Sequence, residues 1–291
     1  MLSTRDIRRR IKSIKNTSQV TRAMQMVAAS KMRKAQEQAL AGHPYAKLLN
    51  RMLISLSEKR DCSYHPLLTQ RDGNKELILM LTTDKGLCGA LNANLFREVM
   101  GLSREETQFI SVGKKGSRFL SRMKQQLIAE FPLPATPSFL QTKTISQFMI
   151  EKFISAAVNQ VSVLYPQFIN TLTQQPRKTI LLPLANYCNE ENIAMEKQEQ
   201  FFVNDGSLFL FEPSPDKVLD EILPYYIHFE VYQMILDARA SEHSARVVAM
   251  RNATDNANQL IKELTLEYNK LRQANVTTEL LEISTAQLAT T

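Results

Sequence analysis

One loop carries the residue types that chemistry uses. Thr82-Thr83-Asp84-Lys85-Gly86-Leu87-Cys88-Gly89-Ala90-Leu91-Asn92 sets a carboxylate, an ammonium group and a thiol beside two glycines, directly after the apolar run Leu77–Leu81. In a doubly wound fold, a phosphate sits at such a strand-to-helix turn. The spacing is neither GxGxxG nor the GxxxxGK of a P-loop, and the second glycine turn, Gly113-Lys114-Lys115-Gly116, is too short for one. Both fit tight strand-to-helix turns in which glycine supplies a positive φ. Cys88 has Lys85 nearby but no His in its local sequence, so a small buried cysteine is expected there. His43, His65, His228 and His243 lack metal-ligand spacing, and Cys62, Cys88 and Cys188 make neither a CxxC pair nor a disulfide framework. No Ser/His/Asp ordering or paired-carboxylate spacing stands out. These residues demand no catalytic site, no metal and no cofactor.

Charge is the stronger signal. The chain of 291 residues has a net charge of +7. The stretch from Met1 to Lys34 holds Arg5, Arg8, Arg9, Arg10, Lys12, Lys15, Arg22, Lys31, Arg33 and Lys34 against the single acid Asp6. A basic arm of this kind draws an anionic partner: nucleic acid, lipid headgroups or acidic protein loops. Aromatic side chains for base stacking are missing from the first 40 positions. Charge alone leaves nucleic acid and acidic protein loops equally open. Hydrophobic content of 44% and charged content of 22% are those of an ordinary globular protein. No apolar run approaches the ~20 residues that span a bilayer.

The elements that must carry these residues follow from glycine and proline. Residues 1–41 and 225–291 contain neither, whereas all 8 Gly and all 11 Pro lie between Gly42 and Pro224. Proline inside a helix costs about 3 kcal/mol and glycine about 1. Two long helices are therefore predicted, one over 1–41 that resumes past Pro44 to Lys59, and one after Pro213 and Pro215 with Ser214 as N-cap. Helices several times longer than the globular average need a partner along their length. The apolar steps Ile7, Ile11, Ile14, then Val20, Met24, Val27, and at the other end Ala253, Ala257, Leu260, Leu264, Tyr268, Leu271, read as coiled-coil seams. The same pattern fits two separate amphipathic helices packed on a globular core.

The middle alternates. Leu77–Leu81, Gln108–Val112, Gln126–Phe131, Val161–Thr173 and Thr179–Leu184 read as strands. Helices are expected after the 82–92 loop to about Leu102, from Gly113 to about Met123, and over Thr144–Gln160. That order implies an open, partly parallel α/β sheet. Residues 185–210 are polar and ambiguous. The expected fold class is thus α/β: a long antiparallel coiled coil of N- and C-terminal helices with a central Rossmann-like α/β domain. Its parts are 1–59, 74–210 and 214–291.

Four blocks closely resemble the ATP synthase gamma subunit family. The first is Ile7–Ile14 with Asn16-Thr17 and the run Val20 to Lys34; the second is Thr83–Asn92; the third is Ser241–Ala257; the fourth is Tyr268–Leu280. Residues 103–210 match by layout more than by residue. The resemblance implies a non-catalytic shaft inside a ring of three alpha and three beta subunits. Its α/β domain would stand against the epsilon subunit and the membrane c ring, and ion flow would turn it so that catalysis proceeds on beta. Carried over by motif, Arg272, Gln273, Thr277 and Glu279 fall where the family meets the catch loop of beta. Met24 and Arg246 fall where the shaft passes beta's acidic lever region. Phe211 and Glu212 fall in the foot segment near the c ring, where Phe211 often has a Tyr counterpart. The start of the match near Met1 leaves no room for a transit peptide, and the extra Cys-bearing insertion of the chloroplast form is missing. A bacterial-type enzyme, peripheral on the cytoplasmic side of the cell inner membrane, is the expectation. Two other readings predict different behaviour. A coiled-coil nucleic-acid- or anionic-membrane-binding protein predicts salt-dependent retention on DNA or anionic lipid. A small α/β enzyme using the Asp84–Asn92 loop predicts turnover or nucleotide binding.

Overall fold

The computed structural model describes residues 3–57, 65–184 and 211–289. The expected helical end at Lys59, Cys62, Cys188 and the ambiguous 185–210 stretch lie outside these residues. The chain divides into two compact units: Met1–Ser30 with Arg246–Thr291, and Lys31–Ala245.

The larger unit is built on a five-stranded sheet. Its strands are β1 (Glu76–Leu81), β2 (Thr107–Val112), β3 (Gln126–Phe131), β4 (Gln160–Phe168) and β5 (Gln174–Leu182), in the order β3-β2-β1-β4-β5. The first four are mutually parallel, and β5 returns antiparallel on β4. Helices α2 (Leu91–Met100), α3 (Lys114–Arg122) and α4 (Phe139–Ile154) connect the parallel strands. The continuous apolar run of β1 is explained by burial on both faces. Leu77, Leu79 and Leu81 point with Ile110, Val112, Val161 and Val163 toward Met149 and Phe153 of α4. Ile78 and Met80 point the other way with Phe109 and Leu164, against Leu95 of α2 and Leu120 of α3. Phe96 and Phe119 stack between those two helices with ring centroids 4.0 Å apart.

The long helices are α1 (Thr4–Ser57) and α5 (Pro215–Ala289). Within the larger unit, Leu49 and Leu53 of α1 and Leu223, Ile227, Val231 and Ile235 of α5 complete the core on the α4 face. Packing explains why α1 runs unbroken through Pro44 where the sequence suggests a break. Tyr45 stacks edge-on against Phe229 at 5.0 Å, so the bond lost at proline is offset by apolar contact. Gly42 packs tightly against α5: a Cβ there would lie 1.7 Å from Gln233 Nε2. Pro215 opens α5, Val218 N–H donates to the Ser214 carbonyl at 3.2 Å, and Pro224 lies inside the helix.

Several expected boundaries move, and β5 starts at Gln174 instead of Thr179 and ends at Leu182 instead of Leu184. Helix α4 begins five residues before Thr144 and ends at Ile154, because Ser138 and Gln141 form a capping box at its start. Strand β4 stops at Phe168 instead of Thr173. There Asn170 Oδ1 accepts from the N–H groups of Leu172 and Thr173 at 2.9 and 2.7 Å, closing a side-chain-driven turn.

Candidate functional site

In the smaller unit the two chain ends pair. Arg8 of α1 donates to the Tyr268 hydroxyl of α5 and lies over its ring, 5.3 Å from the centroid. Ser18 Oγ donates to Asn258 Oδ1 at 3.0 Å, and the hydroxyls of Thr21 and Thr254 meet at 2.7 Å. Partner numbers fall on α5 as they rise on α1, so the pair is antiparallel. Buried and half-buried positions mark the seam: Ile7, Ile11, Ile14, Ser18, Thr21, Met24 and Ala28 on α1, and Met250, Thr254, Ala257, Ile261, Leu264, Tyr268 and Leu271 on α5. The α5 series alternates steps of four and three as heptads do, and the α1 series does so as far as Thr21, where a second step of three leads to Met24. Val20 and Val27, expected in the seam with Met24, are instead 58% and 57% exposed. Leu260 is likewise exposed, and Ile261 takes its place. The polar rungs carry the register instead.

Those rungs are what the sequence reading missed, although counting heptads onward from Ile14 reaches both Ser18 and Thr21. The Thr21 hydroxyl also lies 3.0 Å from the Ser18 carbonyl, and that of Thr254 lies 2.8 Å from the Met250 carbonyl. Each hydroxyl has one proton. One therefore donates to its own helix while the other donates across the seam, and both are satisfied.

The register also fixes where pairing ends. Arg8 stands opposite Tyr268, so the start of α1 at Thr4 falls opposite the turn after Leu271. From Arg272 through Glu279 to Ser284 every side chain of α5 is exposed. Arg272, Gln273, Thr277 and Glu279 all lie on this bare stretch, with Thr277 Oγ1 donating back to the Gln273 carbonyl at 2.9 Å. So do the apolar Val276, Leu280, Leu281 and Ile283, 48–62% exposed. Met24 and Arg246 are half-buried in the same unit. Phe211 and Glu212 belong to the larger unit, just before α5, with Phe211 half-buried and Glu212 exposed.

The glycine loop is internally satisfied. Thr83 Oγ1 donates to the Lys85 carbonyl and accepts from Asn92 Nδ2, each at 2.8 Å. Thr82 Oγ1 accepts from Gly116 N–H at 2.9 Å, and Asp84 Oδ1 accepts from Lys114 N–H at 3.1 Å. These bonds tie the loop to Asn92 and to the Gly113–Gly116 turn. Gly113 holds φ of 99°, and a Cβ there would lie 2.3 Å from the Thr82 carbonyl oxygen, so glycine is required for packing. Cys88 is buried against Leu91 and Ala245, and its polar neighbours are Asn92 Nδ2 at 3.5 Å and the Thr83 hydroxyl at 3.9 Å, neither of them a base. Among the described residues no group of His, Cys, Asp and Glu could hold a metal ion.

One buried charge cluster escaped the sequence reading. Arg239 on α5 is 7% exposed. It donates to Glu242 at 2.8 Å and to the carbonyls of Leu133 and Pro134 at 3.3 and 3.4 Å, and it lies 3.8 Å from Asp84. A buried guanidinium needs such partners to offset its lost hydration. The cluster ties α5 to the loops after β1 and β3. Nearby, His228 Nδ1 and Ser146 Oγ lie 2.7 Å apart, joining α5 to α4. Burial, and then the charge of Lys143, push the His228 pKa below 6.5.

An antiparallel helix pair with a polar-runged seam, in a chain that also folds a doubly wound α/β unit, defines a class of protein that joins a two-helix coiled coil to an α/β domain. Comparison with known proteins agrees. A family model described as ATP synthase matches residues 3–289. The ATP synthase gamma chain of Opitutus terrae is 47% identical over 292 residues, covering 99% of each chain, and that of Methylacidiphilum infernorum is 46% identical over 294 residues, again covering 99% of each. The chain belongs to the ATP synthase gamma chain family. A solved structure of the Tetrahymena thermophila mitochondrial ATP synthase central stalk and c ring matches with a TM-score of 0.61 at 27% identity, covering 80% of this chain and 99% of that one. A Euglena gracilis mitochondrial ATP synthase chain shares the fold with a TM-score of 0.68 at 20% identity, covering 98% of this chain and 94% of its own.

Proposed function

We propose that this chain is the central-stalk rotor of an ATP synthase, coupling ion flow through a membrane ring to ATP synthesis or hydrolysis on the beta subunits. The observation that carries the reading is the bare end of α5. A single helix with exposed Val276, Leu280, Leu281 and Ile283 beyond its last seam contact exposes apolar surface that another surface must cover. A sleeve of alpha and beta subunits, three of each, would cover it. There Arg272, Gln273, Thr277 and Glu279 would meet the catch loop of beta, and Met24 and Arg246 its acidic lever region. Phe211 and Glu212 would belong to the foot, beside the epsilon subunit and the c ring. The division into 1–59, 74–210 and 214–291 then separates two shaft helices from the foot domain.

The basic arm supports the same reading. Arg5, Arg9 and Arg22 of α1 are exposed, where acidic loops of a surrounding ring would find them. A shaft drives its neighbours only by contacting three identical subunits unequally, since populations shift only through differential free energy. No described helix is long and apolar enough to cross a membrane. Attachment would therefore run through the complex, on the cytoplasmic side of the cell inner membrane.

Reconstitution with purified alpha and beta subunits tests this. The full chain is expected to co-purify with them and with epsilon, to raise their ATPase and to show no turnover alone. Arg272→Glu or Gln273→Ala is expected to lower the ATPase of the complex several-fold while leaving the isolated chain's stability within about 0.5 kcal/mol of wild type. Unchanged ATPase would remove the catch-loop assignment. Failure to assemble, with retention on DNA or anionic vesicles, would favour the nucleic-acid- or membrane-binding alternative.

A further inference from the structure

The larger unit contains a cavity of about 40 Å³ whose lining has one sign of charge. Lys31 and Lys34 enter it from α1, and Arg239 and His243 from α5. Each pair is spaced by one helical turn, so both members face the same side of their helix. Thr136, from the loop between β3 and α4, and Gln38 add neutral donors, and no carboxylate lines the cavity. Arg239 and His243 are each only 7% exposed, whereas Lys31 and Lys34 reach solvent. The site thus has a fixed floor and a flexible cationic rim.

The floor is set by the carboxylate cluster described above. Glu242 and the carbonyls of Leu133 and Pro134 hold the Arg239 guanidinium at 2.8–3.4 Å. Glu242 and Asp84 more than offset the charge of Arg239, so the positive surplus at the cavity comes from Lys31 and Lys34. Their ammonium groups, over a floor held in place by the Arg239 bonds, suit a small oxyanion. The volume accommodates one such ion.

We propose that this cavity binds a small oxyanion, with free inorganic phosphate as its ligand. Bound there, the ion bridges α1, α5 and the β3–α4 loop. It therefore stabilises the larger unit in proportion to its occupancy. The site is independent of the rotor reading, because every group in it lies on this chain.

Melting of the full-length chain in phosphate and in chloride at matched ionic strength tests the proposal, with phosphorus NMR line broadening as a direct readout of binding. Phosphate at 10 mM is expected to raise the midpoint by about 2–4 °C over chloride. Lys31→Gln with Lys34→Gln, at exposed positions that the fold tolerates, is expected to abolish both the rise and the broadening. Lys262→Gln, at an exposed lysine of the smaller unit, is expected to keep both. Equal midpoints in phosphate and chloride, a phosphate response that survives in the double variant, or an equal response to ADP would each overturn it.

Discussion

The two units hold helices together by different means. In the larger unit the sheet core is dry: Phe109, Phe153, Ile78, Leu79 and Met80 are 0% exposed, and α4 and α5 are fixed by large side chains packed from all sides. In the smaller unit two helices have only each other. Their seam is one residue wide, many of its members are half-buried, and Ser18, Thr21, Thr254 and Asn258 interrupt it with hydrogen bonds. Area sets stability in the first, because burial scales with apolar surface removed from water. In the second, polar rungs fix which residues face which, since an unmatched buried hydroxyl is costly while a matched pair adds little. A shaft must keep its register while turning against its surroundings, and rungs supply that without a broad apolar surface.

The difference is broken most strongly in the core. Phe153→Ala is expected to destabilise the larger unit by about 3–5 kcal/mol, read by urea denaturation of the full chain. Ile7→Ala removes the best-buried seam residue, 1% exposed, and is expected to cost about 2 kcal/mol, because a two-helix seam relaxes around a gap more readily than a sheet core does. The helical signal of the chain ends should report it while the sheet core stays intact. Thr21→Val alone leaves the Thr254 hydroxyl without its cross-seam partner and is expected to cost about 1 kcal/mol, whereas Thr21→Val with Thr254→Val restores most of the loss. Equal costs for the single and double variants would show that the rungs do not act as a pair.

The smallest effect is set by pH. His228 has its folded pKa lowered below 6.5 by burial and by Lys143, so the unfolded chain binds the proton more readily. The stabilisation is complete above 6.5 and is lost as pH falls from 6.5 toward the lowered folded value. His65, lowered chiefly by burial despite the opposing charge of Asp220, acts in the same direction. The midpoint of the larger unit is expected to drop between pH 7 and 5, with a smaller drop in His228→Gln. A seam that melts with the same pH dependence would contradict the assignment, because no histidine of the described seam contributes to it.

Strand β1 could be read directly because it is buried on both faces, so Leu77–Leu81 appears as an unbroken apolar run. The loops between the strands were legible as turns because Gly113 has a backbone angle that only glycine adopts freely. Element ends were less legible. The start of α4 depends on a reciprocal cap between Ser138 and Gln141, and the end of β4 on the side chain of Asn170, both weaker signals than periodicity.

The sequence by itself determined that both ends are helical, that the middle is an alternating α/β sheet, and that the N-terminal arm is basic. Propensity, period and charge are local and additive, so they survive being read one window at a time. Tertiary structure alone decided that α1 passes through Pro44, that Ile261 and not Leu260 enters the seam, and that Arg239 is buried between Glu242 and Asp84. Each of those depends on a partner far away in the chain. What a side chain faces there, in distance and in charge, is a property of the packing and not of its neighbours in sequence.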